Sequence, residues 1–206
     1  MVQERPHYDH FSSDTHSNSA MEEIYIQDKI FDRIDKLEKG EYENCTFNSC
    51  DFSDHDFSEY KFIDCIFKGC NLSLVKLDKT ALRGVKFSEC KILGVHFDTC
   101  NQFALSFSFD GCVLNYCSFY RTKIRKTVFR NSQLQEVDFV ETDLTSTIFD
   151  KCNLTQTIFE NTILEKTDFR TSCNYSIDPE INKIKKAKFS IPGVLGLLDK
   201  YDISIQ

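Results

Sequence analysis

A large apolar residue recurs at every fifth position over most of this 206-residue chain. The recurrence has two sections that differ in phase by two residues, and every centre is Phe, Leu or Ile. The first section has the centres Phe47, Phe52, Phe57, Phe62, Phe67, Leu72, Leu77, Leu82, Phe87, Ile92 and Phe97. The second has Phe109, Leu114, Phe119, Ile124, Phe129, Leu134, Phe139, Leu144, Phe149, Leu154, Phe159, Leu164 and Phe169. A period of five fits neither a helix nor a strand, so it predicts a chain that turns a corner every five residues.

A small residue usually stands two positions before each centre, which predicts a second and smaller inward-facing position. The residues in this position include Cys50, Cys65, Cys70, Val85, Cys90, Val95, Thr122, Thr127, Val137, Thr142 and Cys152. The other three positions of each repeat carry most of the charge, so we expect them to face water.

A longer period is superimposed on the period of five, because every fourth centre is phenylalanine. This column comprises Phe47, Phe67, Phe87, Phe109, Phe129, Phe149 and Phe169, and it extends to Phe189. The pattern predicts four-sided coils of 20 residues, stacked about 4.8 Å apart as paired strands are. The predicted fold is therefore an all-β solenoid, a quadrilateral β-helix of about six to seven coils, with both ends in need of a cap.

The repeat resembles the pentapeptide-repeat family, whose consensus is a small residue, Asp or Asn, Leu or Phe, and two polar residues. The matching tripeptides are CDF at 50–52, HDF at 55–57, CNL at 70–72, VDF at 137–139, TDL at 142–144, CNL at 152–154 and TDF at 167–169. The resemblance covers roughly residues 45–190 and implies a right-handed quadrilateral β-helix.

The pattern predicts four segments along the chain. We expect a polar, disordered lead-in at residues 1–20, a cap at 21–44, the β-helix at 45–190, and a C-terminal cap and dimer module at 191–206. Within the N-terminal cap some apolar residues fit a strand and others a helix. The strand candidates are Ile24 and Ile26, and the helix candidates are Ile30, Phe31, Ile34 and Leu37.

Two departures from the period lie within the repeats. Two residues are inserted between Phe97 and Phe109, and the column resumes afterwards, which predicts a bulge on one side. The bulge is a candidate partner-binding loop or a tolerated structural feature, and its candidate contact residues are Asn101, Gln102, Phe103, Ala104 and Leu105. The second departure spans 174–186, where Pro179 removes a backbone donor and predicts a side that leaves the ladder.

The C-terminal segment predicts a short apolar helix that begins at Pro192 and is followed by a short strand. This ending resembles the C-termini of quinolone-resistance (Qnr-type) pentapeptide proteins. The resemblance implies a tail that caps the stack and joins two rods end to end as a homodimer. The residues of the expected dimer interface are Val194, Leu195, Leu197, Leu198, Tyr201, Ile203 and Ile205.

Reactive chemistry finds little support in the sequence. Most of the ten cysteines occupy the small inward position and are interpreted as small hydrophobic residues, and no CxxC pair is present. Nucleotide-binding and metalloprotease motifs are also absent, so we expect no enzyme activity, cofactor or metal. A net charge of −7 argues against direct nucleic-acid binding, and no apolar run is long enough for a membrane span. We expect a cytoplasmic protein.

Two functional hypotheses remain open. The first is a non-catalytic interaction surface or scaffold whose partner is unknown. The second comes from the family resemblance, which implies an acidic rod that mimics DNA, binds DNA gyrase or topoisomerase IV and protects it from quinolones. Qnr-type proteins of Gram-negative bacteria carry sizeable loops associated with gyrase contact, whereas the insertion here adds two residues.

Overall fold

A computed structural model describes residues 24–204 as a parallel β-solenoid with four sides. The predicted right-handed quadrilateral β-helix is confirmed. The expected lead-in at residues 1–20 lies outside the described residues. Short strands of three or four residues form two of the sides, and single parallel bridges join the coils on the others. Residues with positive φ, such as Asp54 at 59° and Gln156 at 56°, turn corners.

The strands fall on two of the four sides, which we name face 1 and face 2. Face 1 holds β1 (Ile24–Gln27), β3 (Gly40–Glu43), β5 (Lys61–Ile63) and β7 (Ala81–Arg83). Face 2 holds β2 (Ile30–Asp32), β4 (Thr46–Asn48), β6 (Ile66–Lys68), β8 (Val85–Ser88), β9 (Phe107–Asp110), β10 (Val128–Arg130) and β11 (Ile148–Asp150).

Single parallel bridges join the coils on the other two sides. Face 3 runs from the bridge of Asp51 with Asn71 to that of Asn153 with Cys173. Face 4 includes the bridge of Asp56 with Lys76 and later the bridges that join His96 through Ser118 and Asp138 to Ile158. Face 1 resumes after β7 as the bridges of Lys123, Asp143, Ile163 and Lys183.

A continuous column of stacked rings fills the core behind face 2. Its members are Phe31, Phe47, Phe67, Phe87, Phe109, Phe129, Phe149, Phe169 and Phe189. Neighbouring centroids lie 4.6–5.4 Å apart, and the ring planes differ by 2–17°. In-register pairing, such as that of Phe67 with Phe87, places each ring directly on the next.

A second column stands behind face 4 and meets the first edge to face. Phe97, Phe119, Phe139 and Phe159 stack at 4.7–5.5 Å. Contacts between the two columns, such as Phe129 with Phe139 at 5.9 Å and 79°, are T-shaped. Offset and edge-to-face ring pairs contribute about 0.5–1.5 kcal/mol each beyond their buried area, so the two columns stabilise the whole length of the rod.

The small inward positions are filled as expected, and their polar atoms are satisfied by the backbone. The thiol of Cys65 donates to the Tyr42 carbonyl at 3.2 Å, and that of Cys117 donates to the Ile92 carbonyl at 3.0 Å. Burial raises the pKa of both thiols to about 12. These cysteines therefore remain protonated and unreactive at neutral pH.

The β-helix begins before residue 45, and the helix interpretation of the N-terminal cap is wrong. Ile24 pairs with Gly40 and Phe31 with Phe47, so the first coil begins at residue 24 and takes 16 residues, fewer than the 20-residue repeat. Its open side is closed by Tyr42 and Tyr60, whose hydroxyls donate to the carbonyls of Glu38 and Leu37 at 2.6 and 2.7 Å. The ring of Phe31 extends the core column, because β2 pairs with β4 in register and places Phe31 on Phe47.

The C-terminal segment caps the other end without the predicted α-helix. It forms two 3₁₀ turns, Gly193–Leu197 and Asp199–Tyr201, and no strand follows within the described residues. Two glycines in the first turn lower its helical propensity, and both lie against Tyr175. Tyr175 is buried and touches the rings of Phe169 and Phe189 at the end of the column.

Hydrogen bonds and ion pairs hold this tail on the loop at 174–182, where face 4 leaves the ladder as expected. The Ile177 amide donates to the Gly196 carbonyl at 2.9 Å. The Lys200 ammonium donates to Asp178 at 2.7 Å and lies 2.8 Å from Glu180. The hydrogen bonds from Lys200 lower the pKa of both carboxyl groups, so the pairs are intact at neutral pH.

A small void interrupts the core where Leu72, Leu77 and Leu82 follow one another in a single coil. A cavity of about 20 Å³ lies among them and their phenylalanine neighbours. Its lining is apolar, so a water molecule would have no hydrogen-bond partner there. Leu77 stands in the second ring column, between Phe57 and Phe97, where the other coils supply a ring.

We predict that Leu77→Phe raises the free energy of unfolding by about 0.5–2 kcal/mol, because the ring fills the void and continues the stack. Leu144→Phe is the matched control, since Leu144 is fully buried between aliphatic neighbours. Overpacking there costs about 1–3 kcal/mol. Urea denaturation measures both, and equal destabilisation by the two substitutions would contradict the packing described.

We predict that Gly196→Ala loosens the tail, because a Cβ at this position overlaps the Tyr175 carbonyl oxygen. The local cost is about 1–3 kcal/mol, as for other overpacked sites. Hydrogen exchange should accelerate at residues 193–201 and stay unchanged in β10. Leu195→Ala, an exposed neighbour in the same turn, is the control; unchanged exchange in Gly196→Ala would show that the tail is not held there.

Candidate functional site

The candidate functional residues lie on the outer surface, because the interior is filled by side chains. Face 4 is acidic in the C-terminal half of the rod. Its carboxylates and those of the loop that follows are Asp138, Glu141, Glu160, Asp178 and Glu180. The one cation on this stretch of face 4 is Arg121 at its corner, and it forms an ion pair with Glu141 at 2.7 Å.

Face 1, which adjoins face 4, is basic in the same half. Its outward-facing cations are Lys123, Arg125, Lys126, Lys166, Lys183, Lys185 and Lys186. Its acids are Asp143 and Glu165. The rod therefore carries opposite charges on two neighbouring sides, although its net charge is −7.

Asp143 is the buried anion of face 1. Burial opposes its ionisation, but hydrogen bonds from Arg125 and Thr145 outweigh burial and lower its pKa. The Arg125 guanidinium lies 2.6 Å from the Asp143 carboxylate, and Thr145 Oγ1 donates to the same group at 2.6 Å. The charge of Asp143 is therefore neutralised within the rod.

The two-residue insertion forms a bulge on one side, as predicted; that side is face 1, and the bulge ends the four-stranded sheet after β7. Phe87 and Phe109 still stack at 5.1 Å across it, so the core column is uninterrupted. The Asn101 amide donates to the Thr80 carbonyl at 2.9 Å, and the Ser106 amide donates to the Leu82 carbonyl at 2.9 Å. The bulge is thus tied to the rod at both ends.

Side chains of the bulge differ in what they offer to a partner. Asn101, Gln102, Phe103 and Ala104 are exposed, whereas Leu105 is buried and packs in the core. Phe103 is 72% exposed, and the Arg83 guanidinium lies 5.1 Å from its ring centroid. A large aromatic ring in water, fixed by a cation–π contact, is the most prominent apolar feature of the bulge.

The residues predicted for a dimer interface also divide into exposed residues and residues that pack against the rod. Val194, Leu195, Tyr201 and Ile203 are exposed at the end of the rod. Leu197 packs against the core, and Leu198 is half-buried. Ile205 lies outside the described residues.

Sequence reasoning missed two features of this surface. The lysines at 183–186 fall in the second departure from the repeat, so they were not assigned to a side of the rod. The anchoring of the tail by Tyr175 was also missed, because no repeat position predicts an inward tyrosine there. Continuing the 20-residue spacing from Lys123 through Asp143 and Ile163 would have placed Lys183 and its neighbouring lysines on face 1.

Two further features concern the part of the chain that the structure describes. No group of three or more His, Cys, Asp or Glu side chains in residues 24–204 is arranged to hold a metal ion. None of the helices within that range is long and apolar enough to cross a membrane.

Comparison with solved structures finds similar β-helices. Two trypsin-treated variants of QnrB1, described as a plasmid-mediated fluoroquinolone resistance protein, match with TM-scores of 0.60 and 0.59 and identities of 18% and 17%. They cover 88% and 89% of this chain and 100% and 99% of their own. HetL from the cyanobacterium Nostoc matches less well, with a TM-score of 0.37 and 12% identity over 82% of this chain and 85% of its own. At these identities the likeness concerns the fold.

Comparison with curated proteins finds no significant match. Two descriptions of one family match the sequence itself: "Pentapeptide repeat region" at residues 41–108 and "Pentapeptide repeats (8 copies)" at residues 138–173. The first matched segment includes the bulge, and the second lies wholly beyond it. The chain belongs to the pentapeptide-repeat family.

Proposed function

We propose that this protein is a non-catalytic scaffold that presents the sides of its rod to a protein partner. The observation that supports this most strongly is the filled interior, where the cavity among the leucines measures about 20 Å³. Pockets for small molecules usually measure about 300–1,000 Å³. We therefore assign function to the outward-facing side chains, which the repeat leaves free to vary.

The bulge on face 1 is the contact that we propose for the partner. Its exposed ring, Phe103, projects from a regular side and is fixed by Arg83 beneath it. Aromatic and arginine side chains are enriched among the residues that dominate protein interfaces. Leu105 is excluded from this contact because it is part of the core.

Photo-cross-linking tests this contact in living cells. Replacing Phe103 with benzoylphenylalanine should yield one discrete adduct with a partner protein on irradiation. The matched control is the same replacement at Ile158, an exposed residue on face 4 with 43% exposure. Absence of adducts at both positions, or the same adducts from both, would contradict a partner that docks on the bulge.

We also propose that two rods associate end to end through the tail. Val194, Leu195, Tyr201 and Ile203 are 40–57% exposed and lie close together in the chain. Exposed apolar groups concentrated at one end of a solenoid favour association, because a second copy removes them from water. Leu197 contributes by holding the tail on the core.

Sedimentation measures this association directly. The wild-type protein should have twice the mass of the 24.0 kDa chain. Leu195→Asp should yield the monomer, because it places a charge in the apolar contact. Ile158→Asp, at an exposed site outside the tail, should remain dimeric. A monomeric wild type, or a dimer that survives Leu195→Asp, would count against the tail interface.

The acidic face 4 supports a second candidate function, DNA mimicry toward a type II topoisomerase. The carboxylates of Asp138 and Glu160 are held on neighbouring coils and make no ion pair within residues 24–204. Regularly spaced carboxylates on a rod would occupy cationic groups that otherwise bind phosphates. The fold is also similar to QnrB1, which is described as a fluoroquinolone resistance protein.

A gyrase supercoiling assay, with and without a quinolone, tests this candidate. If face 4 mimics DNA, micromolar protein changes supercoiling, and the double variant Asp138→Lys with Glu160→Lys loses most of the effect. Lys123→Gln with Lys126→Gln on face 1 is the control and should retain it. No effect of the wild-type protein on gyrase at micromolar concentration would eliminate the DNA-mimic function.

A further inference from the structure

A set of lysines on face 1 and its corner with face 2 has no role in holding the rod together. Lys123, Lys126, Lys166, Lys183, Lys185 and Lys186 are all exposed. None of them makes an ion pair within residues 24–204. We call this set the lysine face.

The arginines of the same half behave differently. Each is paired with a carboxylate: Arg121 with Glu141, Arg125 with Asp143, Arg130 with Asp150 and Arg170 with Asp168. The described carboxylates near the lysine face thus already have cationic partners, apart from Glu165. The lysines remain as uncompensated positive charge.

Coil stacking brings these lysines close to one another. The Lys166 amide donates to the Lys185 carbonyl at 3.0 Å, so their two coils are direct neighbours. Lys126, Lys166 and Lys186 occupy the same corner of different coils, each with φ near +60°. Like charges held on stacked coils repel one another, so a bound anion would relieve an unfavourable arrangement.

An open groove of about 410 Å³ lies at this corner. Its lining comprises Ser146, Ile148, Lys166, Asp168, Lys186 and Lys188. Ile148 is 42% exposed and gives the groove an apolar contact beside Lys166 and Lys186, whereas the Asp168 carboxylate of the lining is paired with Arg170 and Lys188. The site therefore suits a ligand that combines negative charge with an apolar side chain.

The dimensions of the lysine face fit an extended peptide. The lysines span three coil steps from Lys123 to Lys183, or about 14 Å at 4.8 Å per step. An extended peptide rises about 3.3 Å per residue, so four to five residues cover this length. Alternate side chains of such a segment would face the rod, and its acidic ones would meet the lysines of three of these coils, since the coil of Asp143 carries none on this face.

Nucleic acid fits the same surface less well. A duplex carries phosphates on both strands, and some of these would approach the carboxylates of the adjoining acidic face 4. Single strands are usually held by stacking of bases on aromatic rings. No outward-facing residue of face 1 between 121 and 186 is aromatic.

We propose that the lysine face binds an acidic segment of a protein partner, with an aliphatic side chain of that segment seated against Ile148. This inference rests on the scaffold function proposed above and names the chemical class of its partner. The groove is separate from the bulge at Phe103, which lies on the same side, one coil before Lys123 and two or more coils before the groove.

Fluorescence anisotropy with a labelled Glu-rich peptide that contains one central Leu tests the proposal. The variant carries Lys166→Gln, Lys183→Gln, Lys185→Gln and Lys186→Gln. Exposed ion pairs contribute about 0.2–1 kcal/mol each, so the dissociation constant should rise about tenfold or more at low salt. Thermal melting of the same variant should be unchanged or higher, since repulsion is removed.

The matched control removes the same charge elsewhere, with Lys68→Gln, Lys76→Gln, Lys79→Gln and Lys86→Gln. All four are exposed in the N-terminal half, on faces 2 and 4. Their loss should change peptide affinity less than about twofold, within the additivity expected for distant sites. An equal loss in both variants would mean that net charge alone attracts the peptide and would overturn the proposal.

Two further probes complete the test. A labelled DNA duplex and a single-stranded RNA of similar length are titrated under the same conditions. Tighter binding of either through the same lysines would replace the acidic peptide with nucleic acid as the ligand. No peptide binding by the wild-type protein would also overturn the proposal, while a partner cross-linked at position 103 would leave the scaffold function standing.

Discussion

The stacking of phenylalanine rings along the rod axis is the interaction on which the rest of this structure depends. Parallel pairing in register places Phe129 directly between Phe109 and Phe149, at 5.2 and 5.0 Å. Each ring is therefore buried by the rings on either side of it in the stack as well as by the opposite column. The stack explains why the insertion on face 1 is accommodated outward, since any shift along the axis would break ring contacts in every coil beyond it.

A core built in this way separates stability from surface chemistry. Two of every five positions fill the interior, and the remaining three are free to carry charge. Face 4 and face 1 use this freedom in opposite directions, with carboxylates on one and lysines on the other. The net charge of −7 does not reveal this division, because it is the sum over the whole chain. A rod polarised in this way suits a partner that meets one side.

Much of the fold could be predicted because the period is carried by the residues that the core buries. The regular column from Phe47 to Phe169 predicted the inward positions and the place of the bulge. Phe31 was missed as a ring of the core column because the first coil is shorter than 20 residues. The tail was predicted as a helix from its leucines, but Gly193 and Gly196 and their contacts with Tyr175 produce 3₁₀ turns instead. Leu105 could not be told from its exposed neighbours, since an insertion has no assigned inward position.

The free energy of unfolding of Phe129→Ala tests the central role of the ring column most directly. Phe129 is fully buried in the middle of the stack, whereas Phe103 is 72% exposed on the bulge. The account predicts a loss of about 3–5 kcal/mol for Phe129→Ala. For Phe103→Ala it predicts a change within about 0.5 kcal/mol, as expected for a surface substitution. Similar small losses at both positions would contradict a rod held together by its stacked rings.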